Sequence, residues 1–487
     1  MTVSRRFPLL AFAALGASLT AACATHPPTP ASTVGAPTRP HDQRHFTVDA
    51  AELPFAAIAD SSAVSDRWWG VENGAGYRIE VPRNWNGRLV MYAHGYRGNG
   101  EVLTPASPRF RRELIEAGYA WAASTYSAND YDVRAGIEDT NALALAFTRI
   151  AANNGRQLPA PNRLYITGHS MGGHIAAAAV EAETLAKAHN KVHYAGSMPM
   201  CGVLGDLELY DYFVAYSLAA EQLSGVGPVA FPAVNWAERA PRIIGTLFSS
   251  FPTPAAPTTP VVAHDTPAAR ELKAIVMNLS GGPRPIFEEG FARSSNGSAW
   301  STFGLTRDGG GILLNGPETT EHTVYRFADG ARPSPEELAF NREIPRALPE
   351  ANANPPRSDG LRWVPPVTGE VHVPVLTLHN LGDLFVPFHM EQIYHRRVAD
   401  RGNSRWLVQR AIRSPLHCDF TAAEESTAFT ALVGWVEQGR RPAGDDVVTR
   451  AVVADSAYGC AFTDNTTGPE DPGEAEVRAA RPACPAH

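Results

Sequence analysis

The segment Tyr165-Ile-Thr-Gly168-His169-Ser170-Met171-Gly172-Gly173-His174 sets a serine between two glycines, at the junction of an apolar stretch and an Ala-rich one. A serine offered for attack needs a turn so tight that the residues two places to either side carry almost no side chain, and Gly168 and Gly172, with His169 between glycine and serine, meet that need. The chemistry served is nucleophilic attack on a carbonyl carbon. Serine at its own pKa is a poor nucleophile, so a histidine base and a carboxylate to orient it have to come from elsewhere in the chain.

Asp383, in Asn380-Leu-Gly-Asp383-Leu-Phe-Val-Pro387, follows an apolar stretch ending at His379 and is the acid candidate. His417, in Arg413-Ser-Pro-Leu-His417-Cys-Asp-Phe420, comes after the next apolar stretch and is the base candidate. Serine, acid and histidine thus follow one another in the order that a strand, elbow and helix architecture requires. Taken singly, each has a plainer reading: Asp383 as a turn residue beside Gly382, His417 as a packed or surface histidine. A fourth requirement is a pair of backbone N–H groups facing the oxygen that becomes negative in the transition state. The turn His94-Gly95-Tyr96-Arg97-Gly98 can offer the N–H of Tyr96 opposite that of Met171, which follows the serine.

These residues need a scaffold, and the sequence outlines one. Alternation from Tyr77 to Pro82, the turn Asn84-Trp-Asn-Gly87 and the apolar run Arg88 to Ala93 predict an opening hairpin. A helix from Arg109 to Gly118, a strand from Tyr119 to Thr125, a helix from Ile137 to Asn153, a strand ending at Thr167 and a helix over residues 171–187 follow, then a short strand over 194–201. The next convincing strand, Val373 to His379, lies far downstream, and a helix (Met390–Arg401), a strand (Trp406–Ile412) and a last helix (Thr421–Gln438) complete the pattern. Strands alternating with helices predict a mostly parallel sheet covered on both faces. Residues 203–368 read as amphipathic helices (Asp206–Leu223, Ala233–Phe248, Pro267–Leu279) separated by Pro- and Gly-rich loops. A structureless loop of that length is implausible in a compact domain, so this segment is expected to be a lid over the active site, with an independent binding domain as the alternative.

With its HG after an early strand, GHSMGG at the elbow, GD-x-x-VP after a late strand and a histidine before the last helix, the chain resembles the α/β-hydrolase superfamily over residues 77–202 and 369–440. The resemblance implies a serine carboxylesterase-like enzyme forming an acyl-serine, with Ser170 as nucleophile, His417 as base and then acid, Asp383 as orienter, and no cofactor or metal. The long insertion before Asp383 departs from the usual pattern and leaves the substrate open: a small-molecule or polymeric ester, aromatic esters included. Trp68, Trp69, Trp85, Tyr96, Tyr210, Tyr212 and Phe213 are candidates for a hydrophobic wall, each with core packing as its alternative. An amidase or peptidase of the same fold and a non-catalytic surface binding protein are the competing functions.

Length, composition and cysteines bound the rest. The 487 residues, 44% hydrophobic and 19% charged with a formal charge of -8, fit a globular protein with no electrostatic reason to bind nucleic acid. Arg5 and Arg6, an apolar run from Phe7 to Leu19 and small residues up to Cys23 read as an export signal over residues 1–23. Leu19-Thr-Ala-Ala-Cys23 is similar to a lipoprotein signal, which would attach the protein to a membrane through Cys23; a freely secreted or periplasmic protein is the alternative. Residues 24–45 form a Pro- and Thr-rich linker, residues 46–202 and 369–440 the two parts of the core, and residues 441–487 a tail. Cys201, Cys418, Cys460 and Cys484 allow three pairings. A Cys460–Cys484 bridge would tie the tail and leave Cys201 with Cys418, next to the candidate histidine, with two unpaired thiols as the alternative.

Overall fold

The computed structural model describes residues 43–471, apart from 234, 254, 257 and 294–315, together with 477, 478 and 482–485. The export-signal segment with Cys23, most of the linker and residues 294–315 of the insertion lie outside these. The described residues form one compact unit.

The opening hairpin is not the expected one. Strand β1 (Ser65–Glu72) pairs antiparallel with β2 (Ala75–Pro82) through Asn73 and Gly74, both at positive φ, 50° and 85°, the turn geometry that Asn-Gly favours. Strand β3 (Arg88–Ala93) does not pair with β2. Leu89 to Ala93 are buried throughout, and a strand with two apolar faces belongs in the middle of a sheet. There it lies parallel to β4 (Ala120–Ser124) and β5 (Arg163–His169).

With β6 (Gly196–Met200), β7 (Val375–Asn380) and β8 (Leu407–Ile412), the sheet has eight strands in the order β1-β2-β4-β3-β5-β6-β7-β8. Only the β1–β2 and β2–β4 ladders are antiparallel. That order, with a serine turn after β5, is the α/β-hydrolase fold.

Helices α1 (Arg111–Glu116), α2 (Val133–Asn153), α3 (Met171–Ala178) and α4 (Ala182–Lys187) belong to the first part of the core. Those of the insertion include α5 (Glu208–Ser224), α6 (Trp236–Leu247) and α7 (Pro267–Leu279), and α8 (His389–Asp400) and α9 (Ala422–Gln438) follow. Alternate residues of each strand face opposite layers. Leu89, Met91, Ala93 and Ile166 join the α2 and α3 side chains, while Val90, Tyr92, Tyr165 and Met198 join Leu114 of α1 and Phe429, Leu432 and Trp435 of α9.

Helix α2 starts four residues earlier than its apolar periodicity predicts, because the Asp132 carboxylate accepts the Ala135 N–H at 2.9 Å and caps it. The single helix expected over 171–187 is broken instead at Glu181. This buried carboxylate accepts the N–H groups of Gly369 and Glu370, each at 2.9 Å, and the Thr368 hydroxyl at 2.8 Å. It ties the two parts of the core together where the insertion ends.

The insertion packs into the core. Tyr212 of α5 donates to the Leu384 carbonyl at 3.2 Å, and Tyr210 meets Tyr131 edge-on with ring centroids 5.2 Å apart. Asp211, on the same helix, accepts the Thr319 N–H at 2.7 Å. Burial, with the nearby charges of Glu208, Glu318 and Asp206, pushes its carboxyl up to about 7. A raised acid stabilises the fold only while protonated, so its contribution is complete below pH ~4, the unfolded value, and is lost as pH rises through 7. Asp211→Asn is therefore expected to raise stability by about 4 kcal/mol at pH 8 and to leave it unchanged at pH 4. Urea melts at the two pH values check this, and equal shifts at both would contradict it.

Candidate active site

Strand β5 ends at His169 and α3 begins at Met171, leaving Ser170 alone to make the turn, at φ 59° and ψ -122°. A β-carbon on Gly168 would lie 2.3 Å from the Gly172 carbonyl oxygen, and one on Gly172 only 2.0 Å from that of Ala93. Both positions therefore exclude any larger residue. The Ser170 N–H donates to the Met200 carbonyl at 3.0 Å, which fixes the turn against β6.

The structure brings Asp383 and His417 to this serine. The Ser170 hydroxyl is 2.9 Å from His417 Nε2, and His417 Nδ1 is 2.6 Å from Asp383 Oδ2. Asp383 Oδ1 accepts the N–H groups of Phe385 at 2.9 Å and Val386 at 3.0 Å. Because Asp383 is fully buried and acceptor-only when ionised, it accepts a hydrogen bond from Nδ1–H and leaves the Nε2 lone pair facing the serine hydroxyl.

Cys201 and Cys418 are joined in a disulfide, as are Cys460 and Cys484. The first links the residue after β6 to the residue after His417. The donor atoms of Cys201, His417 and Cys418 lie close enough to share an ion, but both sulfurs are bonded to each other and neither is the thiolate that a metal requires. The tail packs against the same loop. Arg413 N–H donates to the Thr463 hydroxyl at 2.9 Å, and buried Arg478 donates to the Asp419 carbonyl at 2.8 Å and to Glu424 at 2.9 Å.

Over the serine, a β-carbon on Gly95 would lie 3.1 Å from Ser170 Cβ and 3.3 Å from the His169 carbonyl oxygen, so this loop passes directly across the nucleophile. Met171 is the first residue of α3, and its N–H has no acceptor within the helix. The next residue of the loop, Tyr96, faces the same cleft. His94 is stacked on Tyr126 at 4.0 Å, and burial together with the Arg97 charge brings its pKa down to about 4, so it is neutral at ordinary pH.

The cleft has a volume of about 450 Å³ and exposes Ser170 and His417 among Tyr92, Tyr96, Arg97, Arg109 and Phe385. Of the aromatic residues considered from sequence, only Tyr96 lines it. Trp68, Tyr210, Tyr212 and Phe213 are buried in the core, Trp85 packs on Phe147 at 5.6 Å, and Trp69 is exposed on the edge strand β1. Among the described residues, none that lines the cleft belongs to 203–368. The insertion reaches it indirectly, through Phe213 against Phe385 at 5.9 Å.

A second hydrogen-bonded chain underlies the cleft floor. His169 Nε2 is 2.9 Å from Glu425 and its Nδ1 is 3.1 Å from the Tyr92 hydroxyl. Burial and the Glu425 charge push the Tyr92 phenol well up, so it keeps its proton and donates to His169, whose other nitrogen donates to Glu425. Arg109 donates to the Phe420 carbonyl and stands 3.8 Å from the same Glu425. Nothing local in the sequence marks Glu425, Arg97 or Arg109 as part of a site.

No protein-family model matches the chain. It is 24% identical over 442 residues to the o-phthalyl amidase of Xanthobacter agilis, spanning 80% of this chain and 90% of that protein. Among solved structures it is similar to tannin acyl hydrolase from Aspergillus niger, at 12% identity over 80% of this chain and 86% of that one with a TM-score of 0.42. It is also similar to feruloyl esterase B from Aspergillus oryzae, at 15% identity over 81% and 88% with a TM-score of 0.38. The fold assignment rests on strand order and the serine turn, not on these likenesses.

Proposed function

We propose that the chain is a serine hydrolase that cleaves carboxylic acyl derivatives through an acyl-serine. The observation that carries this reading is the unbroken hydrogen-bonded chain from Ser170 through His417 to Asp383 at the floor of an open cleft. Ser170 Oγ attacks the carbonyl carbon while His417 Nε2 takes its proton, and Asp383 holds the ring and stabilises the imidazolium. The N–H groups of Met171 and Tyr96 face the oxyanion. His417 then returns the proton to the departing alcohol or amine, and water repeats the sequence to release the acid.

Carboxylic esters are the first substrate class, since an alkoxide is a far better leaving group than an amine anion and its departure depends less on the proton from His417. Amides are the second. That reading is favoured by the alignment with an amidase over nearly its whole length, and His417 is placed to protonate a leaving amine. Export is part of the proposal: two disulfides support an oxidising compartment, and no helix among the described residues is long and apolar enough to cross a membrane. Attachment through Cys23 is the membrane-anchored form of the same proposal.

A fluorophosphonate probe followed by peptide mass mapping tests the mechanism, with the label expected on Ser170 alone. Matched p-nitrophenyl esters and p-nitroanilides of one acyl group then separate the two substrate classes. Label on another residue, or turnover of neither series by labelled-competent protein, would overturn the proposal.

A further inference from the structure

The charge of the cleft is opposite to that of the chain. The whole sequence carries -8, yet the described residues lining the cleft include Arg97 and Arg109 and no Asp or Glu. Of the nearby acids, Asp383 and Glu425 are both 0% exposed and are engaged by His417 and His169, and Asp130, whose charge reaches Tyr96, is paired with Arg44 at 3.1 Å. None of them lines the cleft.

The two arginines differ in how they are held. Arg109 is anchored by its bond to the Phe420 carbonyl and by Glu425. Arg97 is exposed at the rim and makes no hydrogen bond or ion pair among the described residues. It is two residues beyond Gly95, on the loop that crosses Ser170, and its charge helps to hold His94 neutral. A guanidinium offers paired N–H donors matched to a carboxylate. Aromatic side chains line the same cleft: Tyr96 on the same loop and Phe385, which meets the His417 ring edge-on at 5.1 Å. At about 450 Å³ the cleft is at the small end of ligand pockets, which run from roughly 300 to 1,000 Å³.

We propose that the acyl group this site accepts carries its own carboxylate: one carboxyl of an aromatic dicarboxylic acid is joined as the scissile ester or amide, and the free carboxylate is held by Arg97 beside Arg109. The proposal rests on the serine-hydrolase reading for its chemistry, but its binding step is measurable without turnover. Hydrolysis consumes one water, and the acyl group leaves as a dicarboxylate.

The test uses Ser170→Ala protein, which cannot turn substrate over, and calorimetric titration with the mono-anilides of phthalic, isophthalic and terephthalic acids against neutral benzanilide. At least one anionic isomer is expected to bind tenfold or more tightly than benzanilide, with the advantage shrinking as salt is raised. Adding Arg97→Gln is expected to remove most of that advantage and Arg97→Lys to keep part of it. Equal affinity for the neutral and anionic anilides, or an advantage that Arg97→Gln leaves intact, would overturn the proposal. In parallel, p-nitrophenyl acetate turnover by the unmodified protein and its loss in Ser170→Ala test the serine mechanism alone, so the failure of one idea is distinguishable from failure of the other.

Discussion

Ser170→Ala is expected to lower kcat by about 10⁴- to 10⁶-fold, the range found when the nucleophile of a serine, histidine and carboxylate set is removed. The fold should survive it. The main-chain bond from Ser170 N–H to the Met200 carbonyl does not involve the side chain, and the glycines that permit the turn are untouched. Asp383→Asn is expected to cost about 10⁴-fold for a different reason. Asp383 Oδ1 is held by two N–H donors, Phe385 and Val386, so an asparagine would keep its oxygen there and turn its NH₂ toward His417. The ring would then carry its proton on Nε2, facing the serine hydroxyl with a donor where an acceptor is needed. Single-turnover kinetics on an activated ester, with thermal melts as a check on folding, measure both. A Ser170→Ala protein within tenfold of the parent would sink the mechanism.

Removing the Cys201–Cys418 bridge as Cys201→Ala/Cys418→Ala is expected to destabilise the protein by about 5 kcal/mol, by the loop-closure relation applied to a sequence separation of 217. The same relation assigns only about 3 kcal/mol to Cys460–Cys484, which spans 24. The longer bridge also has a local effect. It joins the residue after Met200, whose carbonyl holds the Ser170 N–H, to the residue after His417. The histidine loop is thereby tied to the strand beside the nucleophile. A fall in kcat of tenfold or more is expected in the double variant under conditions where it is still folded. Urea titration and kcat for a neutral ester are the measurements. A variant with unchanged kcat would leave the placing of His417 to the tail contacts of Arg413 and Arg478.

How far the sequence reads correctly depends on the range of the interaction involved. The nucleophile turn is local: Gly168 and Gly172 are demanded by sterics within two residues of Ser170. The parallel core follows from alternating strand and helix periods. Chain order points to Asp383 and His417, and the structure brings their side chains to Ser170. One difference is local, the Asp132 cap that starts α2 a turn early; the larger two have long-range causes. The opening hairpin belongs to another strand pair because Ser65–Glu72 alternates weakly and edge position decides its partner. The helix after the serine breaks because the carboxylate of Glu181 meets Gly369 and Glu370 from across the insertion.

By itself, then, the sequence determined where a serine can be presented, which fold class presents it and in what order its partners follow, since each depends on backbone sterics and on periodicities read within a few turns of chain. Tertiary structure alone decided the character of the cleft. Glu425 reaches His169 across 256 residues, Arg97 and Arg109 come to one cleft from different loops, and the insertion aromatics turn into the core instead of toward the serine. Those outcomes depend on which side chains exclude water from one another once the sheet has assembled, a quantity that no local pattern of residues encodes.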